Sequence, residues 1–217
     1  MTETTELKSK TAVLPPLFCA GAAYYALVRA CGASAVDWGM RFDKRFKDTH
    51  RFAIADTRGR LELTVPIAKP DNWHCTWGDI RISDHGKWWD VHRVALESAY
   101  GRTPFFEFYI DPLLPMLTEG VVDRYPTLRS LSEAWDGWIR RILLLPAPVD
   151  AESVEADRMF ALLPDHATEA PQPTHWQVRA ERLGFIPGLS VLDLIFNLGP
   201  EAILYTDALA DRLRHNP

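Results

Sequence analysis

The sequence predicts an α+β fold, in which a small mixed sheet from residues 11–82 is packed by helices from 22–31 and 87–145 and the C-terminal half is helical. Three observations carry this. Leu61, Leu63 and Val65 alternate with Glu62 and Thr64, the period of a half-buried strand. After residue 84 the period changes to three and four: Trp89, His92, Leu96 and Ala99 share a face, as do Leu128, Leu131, Trp135, Trp138, Ile142 and Leu145. At the start, a strand, a helix and a second strand read as one βαβ-like unit.

The elements follow in order. Residues 1–10 are polar and expected to fray. Residues 11–19 read as a short strand. Ala22–Cys31 reads as a helix, with Gly32 just past its end, where a left-handed residue is needed. Ala35–Trp38 reads as a second strand. Arg51–Ala55 and Leu61–Ile67 form a hairpin across the turn Asp56-Thr57-Arg58-Gly59. Ile80–Ile82 is a further strand. A helix then runs to Gly101, and Thr103-Pro104 starts another. Thr127 caps the helix from Leu128, and Pro146 ends it. Residues 147–175 are proline-rich and read as an internal linker, with a short helical run near Val154–Leu162. Ser190 and Asp193 form an S-x-x-D capping signal for a helix over Val191–Leu198, stopped by Gly199-Pro200. Gln177–Glu201 has too few apolar residues for its own core, so it is expected to pack back with Phe185, Leu192 and Phe196 buried. The whole chain then forms a single domain.

Composition narrows the function. The chain has 217 residues, 47% hydrophobic and 24% charged, which suits an ordinary globular core. The net charge of −5 argues against a dedicated nucleic-acid binder. The one basic cluster, Lys44-Arg45 with Lys47, reads as a solvated turn. Three cysteines, Cys19, Cys31 and Cys75, include no C-x-x-C pair and suit a reducing compartment. Cys19 is either a nucleophile awaiting a distant His or a small buried side chain, and the second is the commoner fate of a free cysteine. The uncharged run over 11–28 resembles an export leader, but Pro15-Pro16 and Gly21 interrupt it, and Glu3 and Glu6 dilute its basic start. A cytoplasmic protein with no membrane insertion is expected.

Residues 80–109 concentrate the chemistry. A strand meets the turn Ser83-Asp84-His85-Gly86, and a helix opens with Trp88, Trp89 and His92. Such a junction gathers backbone N–H groups, titratable groups and aromatic walls. A metal set of Asp84, His85, His92 and His74 fails on spacing, because seven helical residues separate His85 from His92 by roughly 10 Å. For proton transfer, His92 is either a hydrogen-bonded core residue or a base, and His85 in the turn is freer to meet a substrate. Asp84 is expected to cap the helix. Gly86 and the helix start, with Arg81, Lys87 and Arg51, can receive an anion such as the phosphates of a nucleotide-linked sugar. Neither a Rossmann nor a P-loop motif occurs. Trp73, Trp77, Trp88 and Trp89 either stack on a sugar or pack the core.

The same stretch carries a resemblance. Ser83-Asp84-His85-Gly86, Trp88, His92, Ser98-Ala99-Tyr100 and Pro104-Phe105-Phe106-Glu107-Phe108-Tyr109 resemble the WbqC-like family, which is found with surface-polysaccharide (O-antigen) biosynthesis. Tyr24-Tyr25, Gly59 with Leu63-Thr64-Val65-Pro66-Ile67, and a C-terminal block from Gln177-Val178 to Phe196-Asn197-Leu198-Gly199-Pro200-Glu201 agree with it. Two positions depart. A Q-P-T-Y-like run is Pro15-Pro16-Leu17-Phe18 here, and a Q-x-Y-R-N-R-like run is Phe46-Lys47-Asp48-Thr49-His50-Arg51, keeping only the last Arg. The resemblance implies a cytoplasmic transferase moving an acyl or aminoacyl group onto a nucleotide-linked amino sugar. The departures favour the alternative, a non-catalytic binding or accessory protein. On the first reading His85 and His92 are catalytic, Arg51, Arg81, Lys87, Trp88 and Tyr24 bind substrate, and no metal or cofactor is required.

Overall fold

The computed structural model describes residues 10–70, 72, 74–154, 159–161 and 173–215. Strand β1 (Thr11–Leu14), helix α1 (Ala22–Cys31) and strand β2 (Ala33–Val36) form the expected β-α-β unit. The two strands are parallel, with Thr11 opposite Ala33 and Leu14 opposite Val36. Gly32 sits at φ 80 and sends its N–H to the Val28 carbonyl, which is why a glycine ends this helix. Its left-handed turn starts β2 at once, two residues earlier than the sequence suggests.

Strands β3 (Arg51–Asp56) and β4 (Gly59–Thr64) form the predicted antiparallel hairpin, with Arg51 opposite Thr64. Strands therefore pair in both senses, as a mixed sheet requires, but in two separate sheets. The parallel sheet has the order β2-β1-β5, and the hairpin is alone. Ile80–Ile82 contributes only isolated bridges, Ile67 to Ile82 and Arg81 to Thr127.

Strand β5 (Met159–Ala161) corrects the reading of residues 147–175. A helix was expected near Val154–Leu162. Instead Thr11, Ala12 and Val13 pair in parallel with Met159, Phe160 and Ala161. Val149 also bridges Ala35 on the far side of β2. The open edges of a short parallel sheet recruit this segment, because unpaired strand N–H and C=O groups are costly to leave unmet. Residues 155–158 and 162–172 lie outside the described residues.

The helical part begins with α2 (Trp88–Tyr100), then α3 (Phe106–Ile110), α4 (Val121–Arg124) and α5 (Leu128–Ile142). Thr127 caps α5 as predicted, its hydroxyl accepting the Ser130 N–H at 3.1 Å. The helix ends at Ile142, short of Leu145, because Leu144 turns left-handed at φ 53. Its N–H and that of Leu145 return to the carbonyls of Arg141 and Arg140. This is a Schellman closure with leucine where glycine is usual. The chain finishes with α6 (Ala180–Leu183), α7 (Val191–Leu198) and α8 (Ala202–His215).

One apolar core joins these elements. Trp135 of α5 meets Phe18 at 5.3 Å and Phe52 of β3 at 5.8 Å between ring centroids. Helix α8 lies along α1, and Arg214 of α8 donates to the Arg29 and Ala30 carbonyls at 2.9 and 3.2 Å. The C-terminal block packs back as predicted for Leu192 and Phe196, both fully buried. Phe185 is only half-buried, edge-on to His175.

Candidate functional site

The expected site at the start of α2 is not gathered into one cleft. His85 is exposed, and its backbone N–H binds the Ser83 hydroxyl at 3.2 Å. Arg81 and Lys87 are also exposed, and Lys87 stands at φ 44. Asp84 makes no capping bond to α2, so the expected cap is absent. With Gly86 and Lys87 both left-handed, the chain enters α2 from a 3-10 turn (His85–Lys87) that leaves Asp84 one turn short of the helix. Trp88 is buried and donates its indole N–H to the Ser83 carbonyl at 3.1 Å.

His92 resolves to the core residue of the two readings. It is 2% exposed, and its Nε2 lies 3.2 Å from the Thr64 carbonyl oxygen. A carbonyl only accepts, so Nε2 carries the proton and Nδ1 is the lone pair, buried without a partner. The rings of Phe52 and Trp88 stand edge-on to it at 5.5 and 5.2 Å. Burial pushes its pKa down to about 4. A proton acceptor must reach its substrate, and nothing in this surrounding admits one. On the other side of Thr64 its hydroxyl accepts Arg51 Nε at 3.1 Å, while Arg51 also pairs with Glu62 at 2.7 Å. His92 and Arg51 thus meet at Thr64, well apart in environment. Of the four metal-ligand candidates, His92 lies in the core and His74 is exposed beside Arg41. Trp77 is fully buried against Phe42, and Trp73 lies outside the described residues.

The structure opens a cleft elsewhere. A cavity of about 490 Å³ lies beyond the carboxyl ends of β1 and β2. Small-molecule sites of doubly wound sheets occupy this place, because the loops leaving parallel strands diverge there. Leu17 and Tyr24 follow β1, Asp37, Trp38 and Gly39 follow β2, and Pro148–Glu152 close the rim. Helix α5 supplies the remaining wall through Arg129, Ser132, Glu133 and Asp136. These are spaced by three, four and seven residues and share a face opposite Leu128, Leu131, Trp135 and Trp138.

Asp136 is the best-held group in this wall. Arg140 Nε lies 2.5 Å from Asp136 Oδ2, and the Tyr25 side chain also favours the ionised carboxylate. Arg140 is itself buried and donates to the Ser34 hydroxyl at 3.0 Å and the Pro146 carbonyl at 2.8 Å. Burial still raises the Asp136 pKa, against the opposing pull of Arg140. Tyr24 donates its hydroxyl to the Pro15 carbonyl at 3.3 Å, and burial raises its pKa, with the Asp136 charge adding to the rise. Ser132 is 4% exposed, and its hydroxyl oxygen has no hydrogen-bond partner.

Leu17 also lines a smaller cleft of about 50 Å³, shared with Phe18, Cys19, Asp48, Arg51, Arg60 and Ser190. Both departures noted above, at 15–18 and 46–51, therefore meet this region. Cys19 is buried beside Ser190, and desolvation holds its thiol protonated, so the packed reading of this cysteine stands. Of the predicted site residues, Tyr24 lines the first cleft and Arg51 the second, while His85, His92, Arg81, Lys87 and Trp88 line neither. Asp37, Ser132, Glu133 and Asp136 escaped the sequence reading. For Ser132, Glu133 and Asp136 the signal was a polar stripe on α5, which a solvated helix face shows equally, and Asp37 carried none.

The fold and cleft define an α+β protein with an acid-lined cavity at the edge of a parallel sheet. The chain belongs to the WbqC-like protein family, which it matches over residues 22–153. That span runs from the start of α1 to the cavity rim. It includes Tyr24, Asp37, Arg51 and the α5 wall, and leaves out the 15–18 and 177–201 blocks. No curated protein and no solved structure matches the chain. Among the described residues no group of His, Cys, Asp and Glu could hold a metal ion. No helix among them is long and apolar enough to cross a membrane.

Proposed function

We propose that this chain is a transferase of surface-polysaccharide biosynthesis, moving an acyl or aminoacyl group from an activated donor, such as a thioester, onto the amino group of a nucleotide-linked amino sugar. The observation that carries the reading is the carboxylate-lined cavity beyond β1 and β2, of a size that holds a sugar. The amine nitrogen bonds to the donor's carbonyl carbon. The bond from that carbon to the leaving group breaks, and its electron pair leaves with that group. An ammonium must first give one proton to a carboxylate to free its pair, and Asp136 suits this because its pKa is raised; the second proton leaves nitrogen with the departing group. The family's association with O-antigen clusters supplies the pathway, and a cytoplasmic enzyme would meet nucleotide sugars there.

A second reading rests on the smaller cleft. Leu17 and Phe18 stand where the family pattern carries polar groups, and Cys19 is held as an unreactive thiol. A protein of this kind binds the sugar without transferring anything to it. Mass spectrometry of nucleotide-linked amino sugars incubated with the protein and thioester donors separates the two. A mass gain on the sugar that depends on Asp136 supports the transferase. Binding without any mass gain supports the accessory protein.

A further inference from the structure

We infer that the cavity beyond β1 and β2 is a subsite for a protonated primary amine, with Ser132 as its buried neutral ligand. The inference rests on the amino-sugar reading above and specifies which end of the substrate the cavity takes. Charge selects the ligand. Among the described residues, Asp37, Glu133, Asp136, Asp150 and Glu152 line the space with Arg129 as the single cation of the lining. Arg129 pairs with Glu133 at 2.8 Å, and Arg140, behind the wall, pairs with Asp136. No described ion pair reaches Asp37, Asp150 or Glu152, so the excess is negative. A phosphate entering here meets repulsion, and an ammonium meets attraction.

The independent observation is Ser132. A buried hydroxyl nearly always finds a partner, most often the carbonyl four residues back in its helix. Ser132 has none, though it is one of the residues that line the cavity. An ammonium has three donors and no acceptor, so it can meet the serine oxygen and two carboxylates at once. An acetylated amine keeps one N–H and loses the charge. The subsite therefore distinguishes a free amino sugar, the acceptor of the proposed transfer, from its acylated product.

The test is calorimetric titration of the full-length protein with glucosamine, N-acetylglucosamine and glucose at neutral pH. Glucosamine should bind at least tenfold more tightly than the other two, and more weakly at high salt. Ser132→Ala and Glu133→Gln should each weaken glucosamine at least fivefold. Both positions leave the Asp136–Arg140 pair intact, and unchanged circular dichroism shows that the variants fold. Equal affinity for the three sugars, no glucosamine binding up to millimolar concentration, or binding indifferent to both substitutions overturns the inference. Because the readout is binding, selective glucosamine uptake without any acyl transfer upholds the amine subsite and sinks the transferase. Transfer that survives both substitutions with unchanged KM does the reverse.

Discussion

Tyr100 donates its hydroxyl to the Asp193 carboxylate at 3.1 Å, joining the last residue of α2 to the first turn of α7 across 93 positions of sequence. Asp193 is fully buried and takes three further donors: Gln177 Nε2 and His175 Nε2, both at 2.8 Å, and Asn197 Nδ2 at 3.2 Å. Gln177 in turn donates to the Ile186 carbonyl, and the Ala55 N–H meets the Tyr100 oxygen. The carboxylate expected to cap α7 instead points inward, where it holds the C-terminal block against α2 and β3. A buried charge is tolerated here because all its lone pairs are used.

Replacing Asp193 with Asn puts an amide NH2 toward two donors and removes the charge they were arranged for. We expect Asp193→Asn to lose about 3 kcal/mol of stability. Urea unfolding at neutral pH measures it, and a loss below 1 kcal/mol would mean that the network is looser than its geometry.

His92 makes stability depend on pH. Its native pKa of about 4 lies below the unfolded value of 6.5. The unfolded chain therefore takes up a proton first as the pH falls. Stability is fully present above 6.5, declines between 6.5 and 4, and levels off below 4, with a total loss of about 3 kcal/mol from this group. His92→Gln keeps an N–H for the Thr64 carbonyl and cannot titrate. The difference in unfolding free energy between wild type and variant should change by that amount between pH 7 and pH 4, and parallel curves would refute the assignment.

His85 should contribute little to stability. It is exposed, and the hydrogen bond it makes is a backbone one. His85→Ala should move unfolding by no more than about 0.5 kcal/mol, which thermal denaturation would show as a Tm close to that of wild type.

Leu144 occupies a left-handed position with its side chain 72% exposed. Its strain is not offset by packing. Leu144→Gly relieves roughly 1–2 kcal/mol of backbone conflict and costs part of that in chain entropy, so the variant should gain about 0.5–1 kcal/mol. Chemical denaturation of the pair checks the sign.

Gly199 carries the opposite constraint. At φ 55 and ψ −124 it adopts a conformation that suits glycine, and a Cβ there would come within 2.5 Å of the Phe105 ring. Gly199→Ala should cost about 3 kcal/mol through strain and overpacking together. A Tm unchanged from wild type would show that Phe105 can turn aside at no cost.

Local signals were legible from residues alone. Gly32 had to end α1, Thr127 had to cap α5, and the alternation from Leu61 to Val65 had to make a strand, because each acts through φ, a single hydrogen bond or a two-residue period. The family was legible too, since its blocks record such local choices. Hidden from that view were β5, the inward turn of Asp193, the confinement of His92 and the cavity itself. Whether His92 meets solvent depends on Thr64 and Phe52, which lie on the neighbouring hairpin. Ser132 and Asp136 look alike in sequence whether α5 faces water or Asp37. The cavity exists because three segments, ending β1, ending β2 and following α5, diverge at one edge of the sheet. Backbone propensity acts over a few residues and can specify the elements. Burial and electrostatics sum over partners far apart in sequence, and only their arrangement in space sets which polar groups line a cleft.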